Sequence, residues 1–206
     1  MERPPATLLI ACGALASEAR TVLQQDGLRH VTLSCLPAKL HNTPALIPDL
    51  LRQKIRENRS AYTDILVLYG DCGTGGKIDE VLAEEGASRI AGAHCYEFYS
   101  GSNDFDRLAE EEPGTFYLTD FLVRHFDRLV WQGLGLDSHP ELLSSYFGNY
   151  SRLVYLAQLP SDDSIGQAKQ AARRLGLDFV LKETGLGKID DFLSSVRVPK
   201  VTRGYL

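Results

Sequence analysis

The chain has 206 residues, 44% hydrophobic and 24% charged, which supplies a globular core and excludes a disordered tail or a fibrous repeat. Lys and Arg number 22 against 27 Asp and Glu, a formal charge of −5, so the phosphate attraction behind nucleic-acid binding is missing and no nucleic-acid partner is expected. No apolar run approaches the ~20 residues that span a bilayer, and Met1-Glu-Arg-Pro-Pro lacks the pattern of a signal peptide, so a cytoplasmic protein without a membrane partner is expected.

Leu8-Leu-Ile-Ala11 is a short apolar run closed by Cys12-Gly13, and Leu15, Ala19, Val22 and Leu23 then recur at helical spacing over Ala14 to Gln25. After Gly27, His30 to Cys35 reads as a strand, and Leu46, Ile47, Leu50, Leu51 and Ile55 line one face of a helix over Pro44 to Asn58. The plan recurs: strand Ile65 to Tyr69, a glycine-rich turn at Gly70 to Gly76, helix Lys77 to Glu85, Gly86, and strand Ser88 to Ala93. Tyr96 to Asp120 reads as turn and acidic loop, with Glu110 to Glu112 a solvated face, and Phe121 to Gln132 reads as a helix in which His125 is packing or surface. A third copy follows as strand Arg152 to Leu156, helix Ser164 to Leu175, Gly176 and strand Asp178 to Lys182.

Strands that are apolar on both faces and alternate with helices predict an α/β fold: parallel sheet or sheets with flanking helices, in three βαβ-type units. We expect a single α/β domain with units at about 6–60, 61–150 and 151–206, the second carrying an inserted loop and helix at 97–135 that acts as a lid. The same 23-residue interval separates Cys12 from Cys35 and Cys72 from Cys95, as a duplicated unit requires. Ligands in such folds bind beyond the carboxyl ends of the strands, which is where this reading puts the four cysteines. A reducing compartment keeps them as thiols for metals or chemistry.

Three of the thiols sit in words that carry chemistry. Gly70-Asp-Cys-Gly-Thr-Gly-Gly76 places Cys72 among glycines where a strand meets a helix, so the amides of Gly73, Thr74, Gly75 and Gly76 are expected to receive an anionic substrate. It is neither a Walker loop nor a dinucleotide loop. His94-Cys-Tyr-Glu97 offers imidazole, thiol and carboxylate; along a continuing strand Cys95 and Glu97 would share a side and His94 would face away. In Leu40-His-Asn-Thr-Pro44 capping accounts for Asn42 or Thr43 but not for His41, a candidate metal ligand or general base. Without a Cys-x-x-Cys pair a structural zinc staple does not fit. Thiolates from separate strand ends suit an open zinc site, or three corners of an iron–sulfur cluster.

Ala11-Cys-Gly13, Leu36-Pro37 with Leu40-His-Asn42, Tyr69 to Gly76, His94-Cys-Tyr-Glu97, Glu112-Pro-Gly-Thr-Phe116 and Tyr146-Phe-Gly-Asn-Tyr150 together resemble the prokaryotic domain-of-unknown-function family 1638. The resemblance spans nearly the whole chain and implies a link to corrinoid and folate one-carbon systems. Its cysteine words fall on Cys12, Cys72 and Cys95, whereas Cys35 matches none and is expected in the core. Asn149 stands where the Phe-Gly-x-Tyr word is expected to carry histidine, which removes a proton-transfer group there.

The expectation is therefore a metal–thiolate protein of one-carbon metabolism. Cys12, Cys72 and Cys95 bind zinc, His41 and Glu97 complete or support the site catalytically, and Gly73, Thr74, Gly75, Gly76 and Asn42 bind a small-molecule substrate. A substrate thiol is activated for methyl transfer from a corrinoid or folate donor, with a corrinoid protein or methyltransferase as partner. The alternatives are an iron–sulfur enzyme, a non-catalytic accessory of a corrinoid methyltransferase system, and a metal-free cysteine enzyme using Cys72 with His41 or His94 as base.

Overall fold

The computed structural model describes residues 6–25 and 27–196. Two compact units are present: the described residues up to Phe98 together with those from Lys188 onward, and Tyr99–Gly187. Among the described residues no helix is long and apolar enough to cross a membrane.

The first unit is a four-stranded parallel sheet of β1 (Thr7–Cys12), β2 (Val31–Leu36), β3 (Asp64–Leu68) and β4 (Ser88–Arg89), in the order β2-β1-β3-β4. Every residue of β1 is buried, as a central strand flanked by helices on both faces requires. Its crossovers run through α1 (Ala16–Leu23), α2 (Ile47–Asn58) and α3 (Lys77–Glu85). Right-handed connections put α1 on one face and α2 with α3 on the other. The last two are tied by ion pairs from Arg52 to Glu84 at 2.9 Å and from Arg56 to Glu85 at 2.7 Å. Ile47, Leu51 and Ile55 of α2 are fully buried, each contributing about 1.5–3 kcal/mol of apolar burial.

Strand order reverses between β1 and β3, since β1 leads to β2 on one side and β3 leads to β4 on the other. The loops leaving β1 and β3 therefore diverge and open a crevice at their carboxyl ends. Cys12 ends β1, and Cys72 lies four residues beyond the end of β3.

In the second unit a parallel sheet of order β5-β6-β7 joins β5 (Thr115–Thr119), β6 (Arg152–Ala157) and β7 (Asp178–Glu183). Between the strands run α6 (Asp120–Arg124), a π-helical turn at Asp127–Trp131, α7 (Leu142–Phe147) and α8 (Asp162–Leu175). Here α5 (Ser102–Glu111) precedes β5; α4 (Tyr96–Ser100) starts in the first unit, and α9 (Gly187–Ser194), which follows β7 in sequence, belongs to the first unit from Lys188 onward. The core of this unit gathers Leu118, Phe126, Leu136, Phe147, Leu153, Tyr155, Ala172 and Leu175. Ser161 caps α8 by accepting from the Ser164 amide at 3.1 Å.

Strand, helix and strand alternate as expected, and the parallel pairs β1·β2, β3·β4 and β6·β7 each enclose a helix, joined in sheets of four and three strands. The segment expected as an inserted loop and helix at 97–135 supplies β5, paired residue for residue with β6 from Thr115↔Arg152 to Thr119↔Leu156. The single helix expected over Phe121 to Gln132 breaks at His125, giving α6 and then the wider π turn. The strand expected over Ser88 to Ala93 ends at Arg89, because the next residues leave the sheet to pair with the loop after β3.

Candidate functional site: a thiol cluster at the strand-order switch

Cys12 caps a 3-10 turn at Gly13–Leu15, its sulfur accepting from the Ala14 amide at 3.4 Å. Another 3-10 turn, Ala38–Asn42, brings His41 over it. The Cys12 Sγ lies 3.7 Å from His41 Nδ1, and that nitrogen is also 3.1 Å from the Ala38 carbonyl oxygen. A carbonyl only accepts, so Nδ1 carries the proton and shares it between oxygen and sulfur. The His41 ring stacks at 6.4 Å and 13° on Tyr69, a fully buried side chain.

The loop after β3 is held shut from within. Asp71 accepts from the Gly76 amide at 2.7 Å, the Gly75 amide at 3.1 Å and the Thr74 hydroxyl at 2.7 Å. Burial alone would raise this carboxyl, but those donors and the Arg89 charge hold it below the usual carboxylate range. The amides expected to cradle an anionic substrate at Gly75 and Gly76 thus already serve the loop's own carboxylate, as does the Thr74 hydroxyl. Gly73 instead borders a second segment: a methyl group there would stand 3.8 Å from Pro44. The exposed Asn42 and Gly73 are thereby brought to neighbouring stretches of chain.

Cys95 reaches the cluster by loop pairing. The Asp71 and Cys72 amides donate to the Gly92 and Ala93 carbonyls at 3.2 and 3.0 Å. Gly70 permits this approach, because a Cβ there would sit 3.1 Å from the His94 Cα. Arg89 locks the crossing: its guanidinium spans Asp79 at 2.6 and 2.8 Å and donates to the Ile90 and Gly92 carbonyls at 3.0 Å each. Glu97 closes the turn by accepting from the Ala93 and His94 amides at 3.0 and 3.1 Å. Its bonded oxygen is directed at backbone, the role of a cap. His94 does not face away from Cys95, as strand alternation predicts; with no strand here, its Nδ1 lies 3.7 Å from the Cys95 sulfur.

Cys72 has φ 52°, the left-handed region, and among the described residues no other non-glycine does. Glycine would occupy it without strain, yet the chain keeps a thiol there between Gly70 and Gly73. Burial, and then the neighbouring Cys12, push Cys72 up to about 11. Cys95 is raised well above its ordinary value by burial and then by Cys72 and Cys12, and burial also raises Cys12. Cys12 thus opposes ionisation of Cys72, and both oppose that of Cys95, whereas the neighbouring thiol that raises Cys12 is Cys35. Burial, and next the Cys12 thiol, also raise the Tyr69 hydroxyl, which has no hydrogen-bond partner of normal geometry among the described residues.

Cys35, expected in the core, is exposed on β2. The reason is topological: β2 is an edge strand, so part of its outward surface meets solvent. Sequence reasoning missed Tyr69, Asp71 and Arg89. The visible signals were an aspartate preceding the glycine turn and an arginine inside the apolar word Ser88-Arg-Ile-Ala91.

The remaining family words have a packing role. Phe116 of the 112–116 word meets Phe147 edge to face at 5.2 Å and Tyr150 at 6.2 Å, joining it to the 146–150 word inside the second unit. Carboxyl ends of β5 and β6 meet at a second buried polar group. Asp120 accepts from the Tyr155 hydroxyl at 2.7 Å and from the Gln158 and Leu159 amides at 3.1 and 2.8 Å.

A family model described as "Protein of unknown function (DUF1638)" matches residues 35–193, a span that includes His41, Cys72 and Cys95 and leaves Cys12 outside. No curated protein matches the chain.

Proposed function

The chain belongs to the DUF1638 family, and we propose that it is a metal–thiolate protein whose Cys12, Cys72 and Cys95 take one thiophilic cation at the strand-order switch. The observation that carries this reading is the convergence of three thiol-bearing segments: Cys12 ends β1, the loop after the neighbouring β3 carries Cys72 at φ 52°, and the Cys72 amide donates at 3.0 Å to the Ala93 carbonyl two residues before Cys95. Protonated thiols gain nothing from such crowding, whereas a divalent cation replaces their protons and turns repulsion into attraction. Raised thiols also speak against a metal-free nucleophile, which needs a lowered one.

Three sulfur donors fit zinc by type. Among the described residues no group of three or more His, Cys, Asp or Glu stands ready to hold a metal ion; zinc binding would require the Cys72 and Cys95 loops to shift toward Cys12. Cys12, Cys72 and Cys95 would hold the zinc, whose chemistry when bound would be to lower a substrate thiol's pKa toward neutral, the acceptor activation that methyl transfer needs. His41 orients the Cys12 sulfur, Glu97 holds the turn that presents Cys95, and Asp71 keeps the Cys72 loop closed. Asn42 and Gly73 border the entrance for a small thiol substrate. The methyl donor, a corrinoid or folate, its delivery by a corrinoid protein or methyltransferase, and a place in the reducing cytoplasm rest on the family resemblance and on the free thiols.

Purification without oxygen and without a histidine tag, followed by zinc and iron analysis beside the visible spectrum, tests the reading for wild type and Cys72→Ala. Near-stoichiometric zinc that is lost in the variant is expected. Several irons with sulfide and brown colour transfer the site to iron–sulfur chemistry, and absence of both metals overturns a metal role.

A further inference from the structure

The second unit holds an open cavity of about 520 Å3 between α6, the π turn and α8, well within the range of small-molecule sites. Val123, Phe126 and Ala171 line it with largely buried apolar side chains, and Gln167 and Gln170 line it with amides. Its rim is basic, formed by Arg124, Arg128 and Arg174.

Asp127 is the single carboxylate of the lining, and it is already paired with Arg174. The Arg174 guanidinium is further fixed by stacking 4.1 Å from the Trp131 ring centroid and 5.4 Å from that of Phe126. Arg124 and Arg128 have no ion-pair partner among the described residues. His125, between them in sequence, is lowered by burial and then by the Arg128 and Arg124 guanidiniums. Two uncompensated guanidiniums thus share one cavity in a chain whose formal charge is −5.

Backbone geometry singles out the same place. The π turn at Asp127–Trp131 interrupts the helix where it passes the cavity. Such widened turns are rare and concentrate at functional sites. It carries Arg128 on the rim and the ring on which Arg174 stacks.

We infer that this cavity binds a small organic ligand bearing at least two closely spaced anionic groups, phosphate or carboxylate. Arg124 and Arg128 grip the anions through their planar forks, Arg174 holds the wall, and the Gln167 and Gln170 amides with the apolar side chains beside them meet the uncharged part. Its lining residues all belong to the second unit, and none is a residue of the thiol cluster.

Calorimetric titration at fixed ionic strength with inorganic pyrophosphate, citrate and sulfate tests it. Wild type is expected to bind pyrophosphate or citrate saturably with one site and at least tenfold tighter than sulfate; the tighter of the two identifies phosphate or carboxylate as the recognised group. The double variant Arg124→Gln, Arg128→Gln replaces exposed side chains, should melt as wild type does, and is expected to lose at least tenfold in affinity. Cys72→Ala is expected to bind as wild type does. Failure of both probes to bind, equal binding of sulfate, or undiminished affinity in the double variant overturns the inference.

Discussion

Cys12 Sγ and His41 Nδ1 stand 3.7 Å apart, with the proton on that nitrogen committed by the Ala38 carbonyl at 3.1 Å. This pair joins the end of β1 to the turn after β2, so the imidazole supports the sulfur as an outer partner. His41→Ala is expected to weaken zinc affinity by about 10–100-fold, the usual cost of losing an outer-shell partner, with near-stoichiometric zinc still bound at saturation. Competition with a chromophoric chelator measures it; unchanged affinity would detach His41 from the site.

The left-handed backbone of Cys72 separates strain from function. Glycine relieves about 1–2 kcal/mol of left-handed strain and loses about 0.5–1 kcal/mol through its freer unfolded chain. Cys72→Gly is therefore expected to be more stable than Cys72→Ala by about 0.5–1 kcal/mol, with metal lost in both. Chemical denaturation ranks them, and the reverse order would remove the strain from the account.

Zinc uptake should be steeply pH-dependent. Cys72 is pushed up to about 11 by burial and then by Cys12, and Cys12 and Cys95 are raised as well, so all three hold their protons at pH 7 in the metal-free protein. Binding is expected to release about three protons, read by calorimetry in buffers of different ionisation enthalpy. Release of one or none would mean that the thiols do not ligate together. The same raised values stabilise the metal-free fold below the ordinary thiol range, and that contribution is lost as pH rises from about 9 through the folded values.

Asp71 has the opposite sign. Its folded value is lowered, so its contribution is present above the ordinary carboxylate range and is lost as pH falls through that range and below. Asp71→Asn is expected to cost about 1–2 kcal/mol at pH 7, from weakened acceptance of the Gly75, Gly76 and Thr74 donors. The difference from wild type should vanish in acid. A gap that persists at pH 2–3 would show that shape rather than charge holds the loop.

In the second unit Asp120→Ala leaves the Gln158 and Leu159 amides and the Tyr155 hydroxyl without their acceptor. At about 1–3 kcal/mol for each buried donor so orphaned, with partial relaxation, a loss of roughly 3 kcal/mol is expected. Tyr155→Phe removes one donor and should cost about 1 kcal/mol. Equal effects from the two substitutions would contradict the central place of the carboxylate.

Local periodicity made much of this molecule legible in one dimension. The apolar run at 8–11, the helix at Lys77–Glu85 and the Gly176-terminated α8 follow from side chains that repeat every two or 3.6 residues, a property of the neighbouring chain alone. Parallel pairing followed from strands apolar on both faces, and with it the expectation that Cys12 and Cys72 gather at carboxyl ends. Tertiary structure decided what depends on which strand lies beside which. It made β2 an edge and so exposed Cys35, and it recruited Thr115–Thr119 from a supposed loop as the partner of β6. It ended β4 at Arg89 so that residues 92–93 could pair with the Cys72 loop, which turned Glu97 into a cap and aimed Asp71 at the loop's own amides. Each of these is a hydrogen-bonding choice between segments distant in sequence, and no local pattern of hydrophobic side chains encodes it.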